Sequence, residues 1–459
     1  MMLNTSHKHQ DRPHWTTDED GSATILSLFF LLICLVMGGI AIDFNKAMSE
    51  RTRLQVAADA AAHAALYTRE TKTTGEARQV ALDTVASMLP ENKFGRSALT
   101  SADIIFGKWD PETQTFTANE GSRSAVKVSA QMVEDRNNAS RNILLRMIGF
   151  DTFNIGVDSI YTTYYPGCFT EGFVSEQIVD IQSNNSFTDG FCIHSNTYVS
   201  LNQNNYFEPG TVVSMPNIND LDIPESGFKL NEGLGTALRE GKYRMRLLSK
   251  LPGIIDSFWG AEQDHLPPYV DHGYAYNIEF DQFPGLPLNE EPPKKKYTMS
   301  VIPYHFAPNA VNRKYCFGKS SITLEAGLYS SFLLITDCKV NFANGVVLED
   351  VVIATTSEDI SSFYSGQGLQ LGRDDNCAEG GGVTLMTLGG FKAAASLSAF
   401  NAQILAMKDI EFAAKADGVV GASFVSNGRI DGTSNMSMGY CKNRGMENAF
   451  RAPYFRMVK

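Results

Sequence analysis

The chain has 459 residues, of which 43% are hydrophobic and 10% aromatic, a composition that supports a sizeable core and argues against wholesale disorder. Its 39 basic and 51 acidic residues give a net charge of −12, which argues against a nucleic-acid partner because such a partner requires a basic surface. The one compact basic run, Lys294–Lys296, follows two prolines and is interpreted as a solvated linker rather than a phosphate-binding site.

An apolar segment at 23–42 follows an N-terminal tail at 1–22 and contains no charged residue. A helix of this length, at about 1.5 Å per residue, crosses about 30 Å of hydrocarbon. A signal peptide has a shorter apolar region that ends at a cleavage site before a turn. Here Asp43, Lys46 and Glu50 follow at helical spacing instead. The sequence therefore predicts one continuous helix that spans a membrane over 23–42 and continues into water.

Small side chains line one face of this helix beyond the predicted span. The stripe consists of Leu54, Ala57, Ala58, Ala61 and Ala65. Alanine permits close approach of a neighbouring element, so the stripe is a candidate packing surface. Two alternatives remain open: the stripe rests on the sheet of its own domain, or it engages a helix of a partner protein.

Six of the seven cysteines lie beyond the apolar segment, and Cys34 lies within it. An even number of cysteines is typical of a protein that forms disulfides in an oxidising compartment. The alternative is that all six are reduced, buried thiols. No CxxC or cysteine–histidine spacing typical of zinc occurs, so no metal or cofactor is predicted. Nearest neighbours in the sequence are predicted to pair, as Cys168–Cys192, Cys316–Cys338 and Cys377–Cys441.

The orientation of the helix is predicted from the cysteines rather than from charge. Lys8 and Arg12 lie before the span, and Lys46 and Arg51 lie after it, so the positive-inside rule is ambiguous. Long domains translocate largely regardless of charge, and disulfides form outside the cytoplasm. We therefore expect the N-terminal tail in the cytoplasm and the C-terminal region in the periplasm or outside the cell.

The N-terminal region resembles a known family signature. Gly21 before the apolar run, "AID" ending at Asp43, and "RTRLQVAADAAAHAA" at 51–65 resemble TadE/TadG-like proteins. These proteins are single-span components of the Tad apparatus, which builds Flp-type pili in bacteria. TadE-type members resemble prepilins that are cleaved before the apolar helix, so Gly21 is a candidate processing junction.

The next stretch also resembles this family. "FGKWDPETQTF" (106–116), "SAVKVSAQM" (124–132) and "NILLRMIGF" (142–150) are similar to the strand, strand and short helix that follow in the TadG-like group. The resemblance covers about 20–165 and implies a pilin-like helix-plus-sheet domain at 43–165. Some longer relatives carry a metal motif, D-x-S-x-S, that is absent here, so no metal site is carried over.

The composition changes after Tyr165, and the region 166–459 is predicted to be mainly β. Short apolar segments alternate with Gly, Asn and Asp, as in "FCIHSN", "GTVVSM" and "GGVTLMTLGG". Hairpins favour longer alternating strands joined by tight turns. The pattern therefore predicts an irregular parallel β-solenoid of stacked coils, with a β-sandwich as the alternative and no strict period assigned. A helical and loop insertion is predicted at about 216–312, its helix ending at Pro252.

The sequence contains none of four common catalytic or nucleotide-binding motifs. No G-x-S-x-G, HExxH, P-loop or dinucleotide fingerprint occurs. His194 is interpreted as a surface or turn histidine, and Asp374 and Asp375 as turn residues.

Together these features predict an α+β protein of the bacterial inner membrane, with a single membrane span. The predicted function is a structural or assembly component of a Tad/Flp type IV-like pilus that acts by protein–protein packing. The membrane and other pilus-assembly proteins are the expected partners, and no enzyme activity is expected. The alternatives are a membrane-tethered, polysaccharide-active β-solenoid enzyme and an adhesin that binds a surface glycan or protein.

Overall fold

The computed structural model describes residues 20–90, 98–261, 265–271, 274–278, 298–316, 321–442 and 444–459. Most of the predicted tail at 1–22, and all of Lys294–Lys296, therefore lie outside the described residues. The chain forms two compact units: unit 1 comprises Met1–Tyr164 and Tyr454–Lys459, and unit 2 comprises Tyr165–Pro453.

Unit 1 begins with one long helix, α1 (Asp20–Arg69), of 50 residues. Every residue of 23–42 is exposed except Gly39. The most apolar window of the helix has a mean hydropathy of 2.9, so α1 has the length and composition of a membrane-spanning helix. It continues unbroken because the following residues have strong helix propensity and Lys46 pairs with Glu50 at 3.6 Å.

A second helix and a small antiparallel sheet complete unit 1. Helix α2 (Thr74–Met88) begins at a capping box formed by Thr73 and Glu76. The strands are β1 (Ile104–Asp110), β2 (Thr115–Ala118), β3 (Ala125–Met132), β4 (Ser140–Arg141), β5 (Thr152–Phe153), β6 (Ile155–Tyr164) and β31 (Tyr454–Met457), which follows the strands of unit 2 in the chain. The main sheet has the strand order β2-β1-β3-β6-β31, and β4 pairs with β5 in a separate hairpin.

Unit 2 is mainly β, and all of its strand pairs are parallel within the described residues. The prediction of an α+β fold, with an apolar N-terminal helix before a mainly β region, is confirmed. The strands are β7 (Gly172–Ser175), β8 (Val179–Ile181), β9 (Ser186–Phe187), β10 (Cys192–Ser195), β11 (Val199–Leu201), β12 (Tyr206–Phe207), β13 (Val212–Met215), β14 (Leu238–Glu240), β15 (Ala275–Asn277), β16 (Thr298–Val301), β17 (Val311–Lys314), β18 (Ser321–Leu324), β19 (Gly327–Thr336), β20 (Lys339–Phe342), β21 (Val346–Thr355), β22 (Phe363–Ser365), β23 (Gln370–Leu371), β24 (Val383–Thr387), β25 (Phe391–Phe400), β26 (Ala402–Ala406), β27 (Ile410–Val420), β28 (Ser423–Ser426), β29 (Ile430–Gly432) and β30 (Ser437–Gly439).

The first turns of unit 2 repeat with a fixed register. Strand β7 pairs with β10, β8 with β11, and β9 with β12, and each pair joins residues 20 positions apart, such as Val179 and Val199. An asparagine at the same place in each turn strengthens the stacking: the Asn205 side chain accepts the backbone N–H of Asn185 at 3.0 Å, and Asn185 accepts that of Met436 at 2.9 Å. A 20-residue repeat therefore organises this part of the chain, where the sequence analysis assigned no period.

The last turn of unit 2 pairs with the first. Strands β28, β29 and β30 lie parallel to β7, β8 and β9, with Ser423 opposite Gly172 and Ile430 opposite Val179. The rings of Phe173 and Phe424 stack across this junction at a centroid distance of 5.3 Å. The order of the turns in space therefore differs from their order in the chain.

Among the described residues, the segment between β13 and β15 contains three α-helices, α3 (Gly227–Leu230), α4 (Leu234–Ala237) and α5 (Arg246–Gly260). The prediction that Pro252 ends the helix is wrong, because Pro252 lies inside α5. A proline inside a helix removes its own N–H donor and crowds the carbonyl four residues earlier, and the apolar face of α5, with Leu251 and Ile255 fully buried, offsets that cost. Strands β14, β15 and β16 lie within the range predicted as an insertion, β17 begins in it, and all four pair with the parallel array.

Candidate functional site

The packing stripe on α1 is completely buried. Leu54, Ala57, Ala58, Ala61 and Ala65 all have 0% exposure. They belong to one apolar cluster with the buried faces of α2 and the sheet of unit 1. Small side chains on both helices allow this close packing, since α2 contributes alanines at 77 and 81. The structure therefore places the stripe against its own unit, which is the first of the two alternatives left open by the sequence.

One charged side chain of α1 is as buried as the stripe. Asp43, the residue that ends the apolar run, is 1% exposed. Its carboxylate accepts the backbone N–H groups of Ile143, Leu144 and Leu145 at 2.8, 2.9 and 2.7 Å. These donors open the 3₁₀ turn Leu145–Ile148, so Asp43 joins the end of the apolar helix to a loop about 100 residues further along the chain.

The carboxylate of Asp43 is held in its charged form. Burial raises its pKa, but the three N–H donors and the nearby Lys46 ammonium lower the pKa by more, so the net shift is downward. In the sequence, Asp43 was informative as a charge at helical spacing and as part of a family signature, but not as a buried acceptor. The signal that could have identified its role is an acidic residue directly after an apolar run, which requires a partner wherever it is buried.

Unit 2 contains three disulfides. Cys168 is bonded to Cys192, Cys316 to Cys338, and Cys377 to Cys441. Cys34 is a free cysteine, exposed on α1. The third disulfide closes the longest loop, of 64 residues, and the backbone N–H of Cys441 donates to the buried carboxylate of Glu171 beside the first turn. The first and third disulfides thus involve residues next to the junction between the first and last turns, since Cys168 precedes β7 and Cys441 follows β30, whereas Cys316–Cys338 joins the ends of β17 and β19.

One group of side chains in unit 2 has the composition of a metal site. Cys316, Asp337 and Cys338 place their ligand atoms within 4.8 Å of one another. The two cysteines are bonded to each other, however, and Asp337 accepts the backbone N–H of Cys316. A disulfide sulfur does not bind zinc as a thiolate does, so this group is structural.

A cleft of about 490 Å³ lies where the segment before α5 meets the parallel array. His194 is buried beneath it, and burial lowers its pKa. Its Nδ1 and Nε2 lie 2.7 Å from Ser214 Oγ and 2.9 Å from Asn196 Oδ1. The surface or turn position expected for His194 is therefore wrong, because it lies inside strand β10. The cleft is lined by Glu176, Asn196, Lys242, Tyr243, Arg244, Met245, Leu248, Ser249, Met407 and Asn427.

The Asn196 side chain fixes the tautomer of His194. Its amide Nδ2 donates to Glu176 Oε2 at 2.8 Å and to the carbonyl of Tyr243 at 2.6 Å, so its oxygen faces the imidazole. His194 Nε2 therefore carries the proton, and Nδ1 accepts the hydroxyl of Ser214. A neutral imidazole with both nitrogens paired is a structural anchor for the Tyr243 segment rather than a free base.

Asp374 and Asp375, interpreted from the sequence as turn residues, do not form a paired-carboxylate site. Asp374 is exposed, whereas Asp375 binds Arg373 Nε at 2.7 Å and the backbone N–H of Ala378 at 3.0 Å. The next residue, Asn376, has a φ of 58°. The segment is a turn held by its own side chains, as is typical of Asp and Asn.

A different pair of carboxylates lies on the outer surface of the junction between the first and last turns. Asp180 and Asp431 are register partners on β8 and β29. Arg429 Nη2 lies 3.3 Å from Asp180 Oδ2 and 2.7 Å from Asp431 Oδ1. Burial raises the pKa of both carboxyls, and repulsion from Asp222 raises that of Asp180 further, against the opposing effect of Arg429. The two residues are 251 positions apart, so sequence spacing gave no signal for this pair.

Three family models match this sequence. One, described as a domain of unknown function, DUF7867, matches residues 172–442, more than half of the chain. A TadE/G-like Flp pilus-assembly family matches residues 21–78, and a Tad-like Flp pilus-assembly family matches residues 55–160. The resemblance of the N-terminal region to TadE/TadG-like proteins is confirmed. The searches of curated proteins and of solved structures gave no match.

Proposed function

This chain belongs to the family described as DUF7867 and carries a TadE/G-like Flp pilus-assembly region, and on that premise we propose that it is a structural component of a Tad/Flp pilus system. Helix α1 anchors it in the bacterial inner membrane, with the 1–22 tail in the cytoplasm. The pilin-like region 43–165 and the β-rich region 166–459 lie in the periplasm or outside the cell. The protein works by packing against other pilus-assembly proteins rather than by catalysis.

The observation that carries this proposal is the division of α1 into two halves. The first half exposes an uncharged surface long enough to cross a bilayer, and the second half buries one face in unit 1. Because the two halves are one helix, the folded unit is held at a fixed position relative to the membrane. The three disulfides support export of unit 2, since such bonds persist in oxidising compartments.

We further propose that unit 2 is a parallel β-solenoid whose turns stack as coils. The support is its parallel pairing, in which β7, β8 and β9 each pair with the equivalent strand of the next turn. Coils of this kind bury one apolar face on the next and leave a long outer surface, which suits a component that presents binding surfaces.

Protease protection tests the topology. Intact spheroplasts are treated with a protease, and fragments are detected with an epitope tag at Lys459. We expect the C-terminal region to be degraded, and the membrane fraction to retain the protein after carbonate extraction. Full protection of the tag, or release of the protein by carbonate, would overturn the proposal.

A deletion strain tests the role in the pilus. We expect loss of surface pili, restoration by the wild-type gene, and no restoration by a variant with leucines 31 and 32 replaced by lysine, since charges at the centre of the span prevent insertion. The matched control replaces two exposed residues beyond the span, Thr52 and Val56, with lysine. Normal piliation in the deletion strain would contradict a role in assembly.

A glycan-binding or glycan-cleaving surface is a second candidate function, favoured by Asp180 and Asp431. Glycoside hydrolysis uses one carboxyl of raised pKa as its acid and a second carboxylate beside it, and burial raises the pKa of both Asp180 and Asp431, so either could be the acid. Release of reducing ends from isolated cell-envelope polysaccharide by the purified protein, abolished by Asp431→Asn but retained by Asp374→Asn, would support an enzyme. Retention of the polysaccharide without release of reducing ends would support an adhesin.

A further inference from the structure

The loop between β4 and β5, residues 142–151, exposes large apolar side chains. Ile143, Met147, Ile148 and Phe150 are 60%, 84%, 50% and 64% exposed. Water disfavours such a concentration of apolar surface in one short hairpin, and patches of this kind mark contact with another apolar phase.

This loop lies against the end of the apolar run of α1. A Cβ placed on Gly39 would lie 3.2 Å from Leu144 Cβ, which explains why Gly39 is the one buried residue of 23–42. Asp43 binds the start of the loop, and Lys46 Nζ donates to the carbonyl of Arg141. These contacts, at positions 39, 43 and 46, share one helix face over about 10 Å. Because position 39 lies within the uncharged run, the loop lies level with the end of the proposed membrane span.

The backbone of the loop is already satisfied internally, as a segment at that depth must be. Asp43 accepts three consecutive N–H groups, from 143 to 145. The N–H of Asn142 donates to Asp151 O at 2.8 Å, and its side chain donates to Phe150 O at 2.9 Å. The backbone N–H of Phe150 donates to the carbonyl oxygen of Leu145 at 3.1 Å. The loop thus presents side chains outward without unpaired donors at these positions.

Charged residues flank the apolar tip. Arg141 and Arg146 are exposed in and beside the loop, and Arg51 and Arg53 are exposed on the next turns of α1. Basic side chains around an apolar patch are typical of segments that lie in the interfacial zone of anionic membranes, where the cation meets the headgroups.

We propose that the 142–151 loop is a second membrane contact, seated in the same leaflet from which α1 emerges, with Ile143, Met147, Ile148 and Phe150 at the boundary between headgroups and acyl chains. Asp43 sets its depth. The contact prevents unit 1 from rotating freely about a single helix, and so fixes the face that unit 1 presents to partners. This inference rests on the proposed membrane anchoring by α1.

Site-specific fluorescence tests the contact in the full-length protein. A Cys34→Ala variant with Met147→Cys is labelled with an environment-sensitive dye under non-reducing conditions and placed, one copy per nanodisc, in lipid containing phosphatidylglycerol. Quenching is measured with lipid carrying a nitroxide at carbon 5 and with aqueous iodide. Phe150→Cys provides a second position, and Glu112→Cys, in the turn after β1 at the opposite end of the sheet, is the matched aqueous control.

We expect the nitroxide lipid to quench the dyes at 147 and 150 several-fold more than the dye at 112. Aqueous iodide should instead quench the dye at 112 more than the dyes at 147 and 150. Iodide quenching at 147 and 150 equal to that at 112 would overturn the inference, and so would protection from both quenchers, which would indicate burial against protein. A dye on native Cys34 separates the two proposals. If the nitroxide lipid quenches this dye but not the dyes at 147 and 150, membrane anchoring by α1 is supported and only the proposed loop contact is wrong.

Discussion

The carboxylate of Asp43 accepts the backbone N–H of Leu145 at 2.7 Å, and this bond joins two segments 102 residues apart in the chain. It completes a set of three N–H donors on one buried side chain. A carboxylate that binds several backbone N–H groups is stabilised in its charged form and orients the donors in return. The end of the apolar helix therefore determines the conformation of the 142–151 loop.

Replacing Asp43 with Asn is expected to release this loop. An amide offers one oxygen and places an NH₂ group where the second oxygen was, so at least one buried N–H loses its acceptor, at a cost of about 1–3 kcal/mol. Hydrogen–deuterium exchange of the full-length protein in detergent should show faster exchange in the peptide that covers 142–151. Asp59→Asn is the control: Asp59 lies on the same helix and accepts only from Gln55 among the bonds described here, so it should leave that peptide unchanged. Unchanged exchange in the Asp43 variant would contradict the role given to this residue.

Replacing Ala58 with Leu is expected to destabilise unit 1. The residue has no exposed surface in the cluster between α1, α2 and the sheet, and added methylenes in a filled core cost about 1–3 kcal/mol. Pulse proteolysis across a urea series should show a lower midpoint for the variant. Val56→Leu adds a methylene to an exposed position of the same helix and should leave the midpoint within error. Equal midpoints for the Ala58 variant and the wild type would mean that the stripe has room for a larger group.

The N-terminal region was largely predictable because its signals are local. An uncharged run, charges at helical spacing and alanines on one face are all properties of one helix, and α1 contains all of them without a break. The hydrogen-bond partners of Asp43 could not be predicted, because donors about 100 residues away produce no periodic pattern in the sequence. The helix around Pro252 was predicted wrongly because a local helix breaker was given more weight than the apolar face on both sides of it.

For unit 2, the mainly β structural class could be predicted from the sequence, but the order in which its turns stack in space could not. "SNNSF" and "QNNYF" are 20 residues apart and already contain the repeat, with Asn184 and Asn204 both at positive φ. The pairing of Ile430 with Val179 has no such signal, because it joins turns from opposite ends of the unit. The Asp180–Asp431 pair depends on that junction and so could not be found by spacing.

Stability of unit 2 is expected to fall as the pH decreases below about 6.5, through His194. Burial lowers the pKa of this imidazole in the folded state, so the unfolded chain binds the proton first. The stability it contributes is therefore complete above the unfolded pKa and is lost as the pH falls toward the folded pKa, at up to about 1.4 kcal/mol per pH unit for one proton. Urea unfolding at pH 7.5 and 5.5 should show a smaller difference in His194→Gln than in the wild type. An identical pH difference in both proteins would exclude His194 as its source.

The junction between first and last turns is expected to depend on Phe424. Its ring is fully buried and stacks on Phe173, so truncation to Ala should leave a cavity and cost about 3–5 kcal/mol. Thermal unfolding of the purified protein should show the loss. Tyr364→Ala removes a comparable ring from a position that is 37% exposed and should cost clearly less. Similar losses in the two variants would indicate that the junction is not tightly packed.

Asp180→Asn is expected to make unit 2 slightly more stable at pH 7. Burial and the nearby Asp222 raise the pKa of Asp180 above its unfolded value, so its favourable contribution is complete below about pH 3.8 and is lost as the pH rises through the folded pKa. At pH 7 the charged carboxylate is therefore a net cost, and an amide of the same shape removes it. Arg429 keeps its 2.7 Å bond to Asp431, so no cation is left without a partner. Because solvent reaches this surface, we expect a gain of roughly 0.5 kcal/mol or less, measured as a higher melting temperature at pH 7 that disappears near pH 3.5. Asp374→Asn, at an exposed turn, should change neither value. A lower melting temperature for Asp180→Asn at pH 7 would show instead that the ion pair with Arg429 outweighs burial.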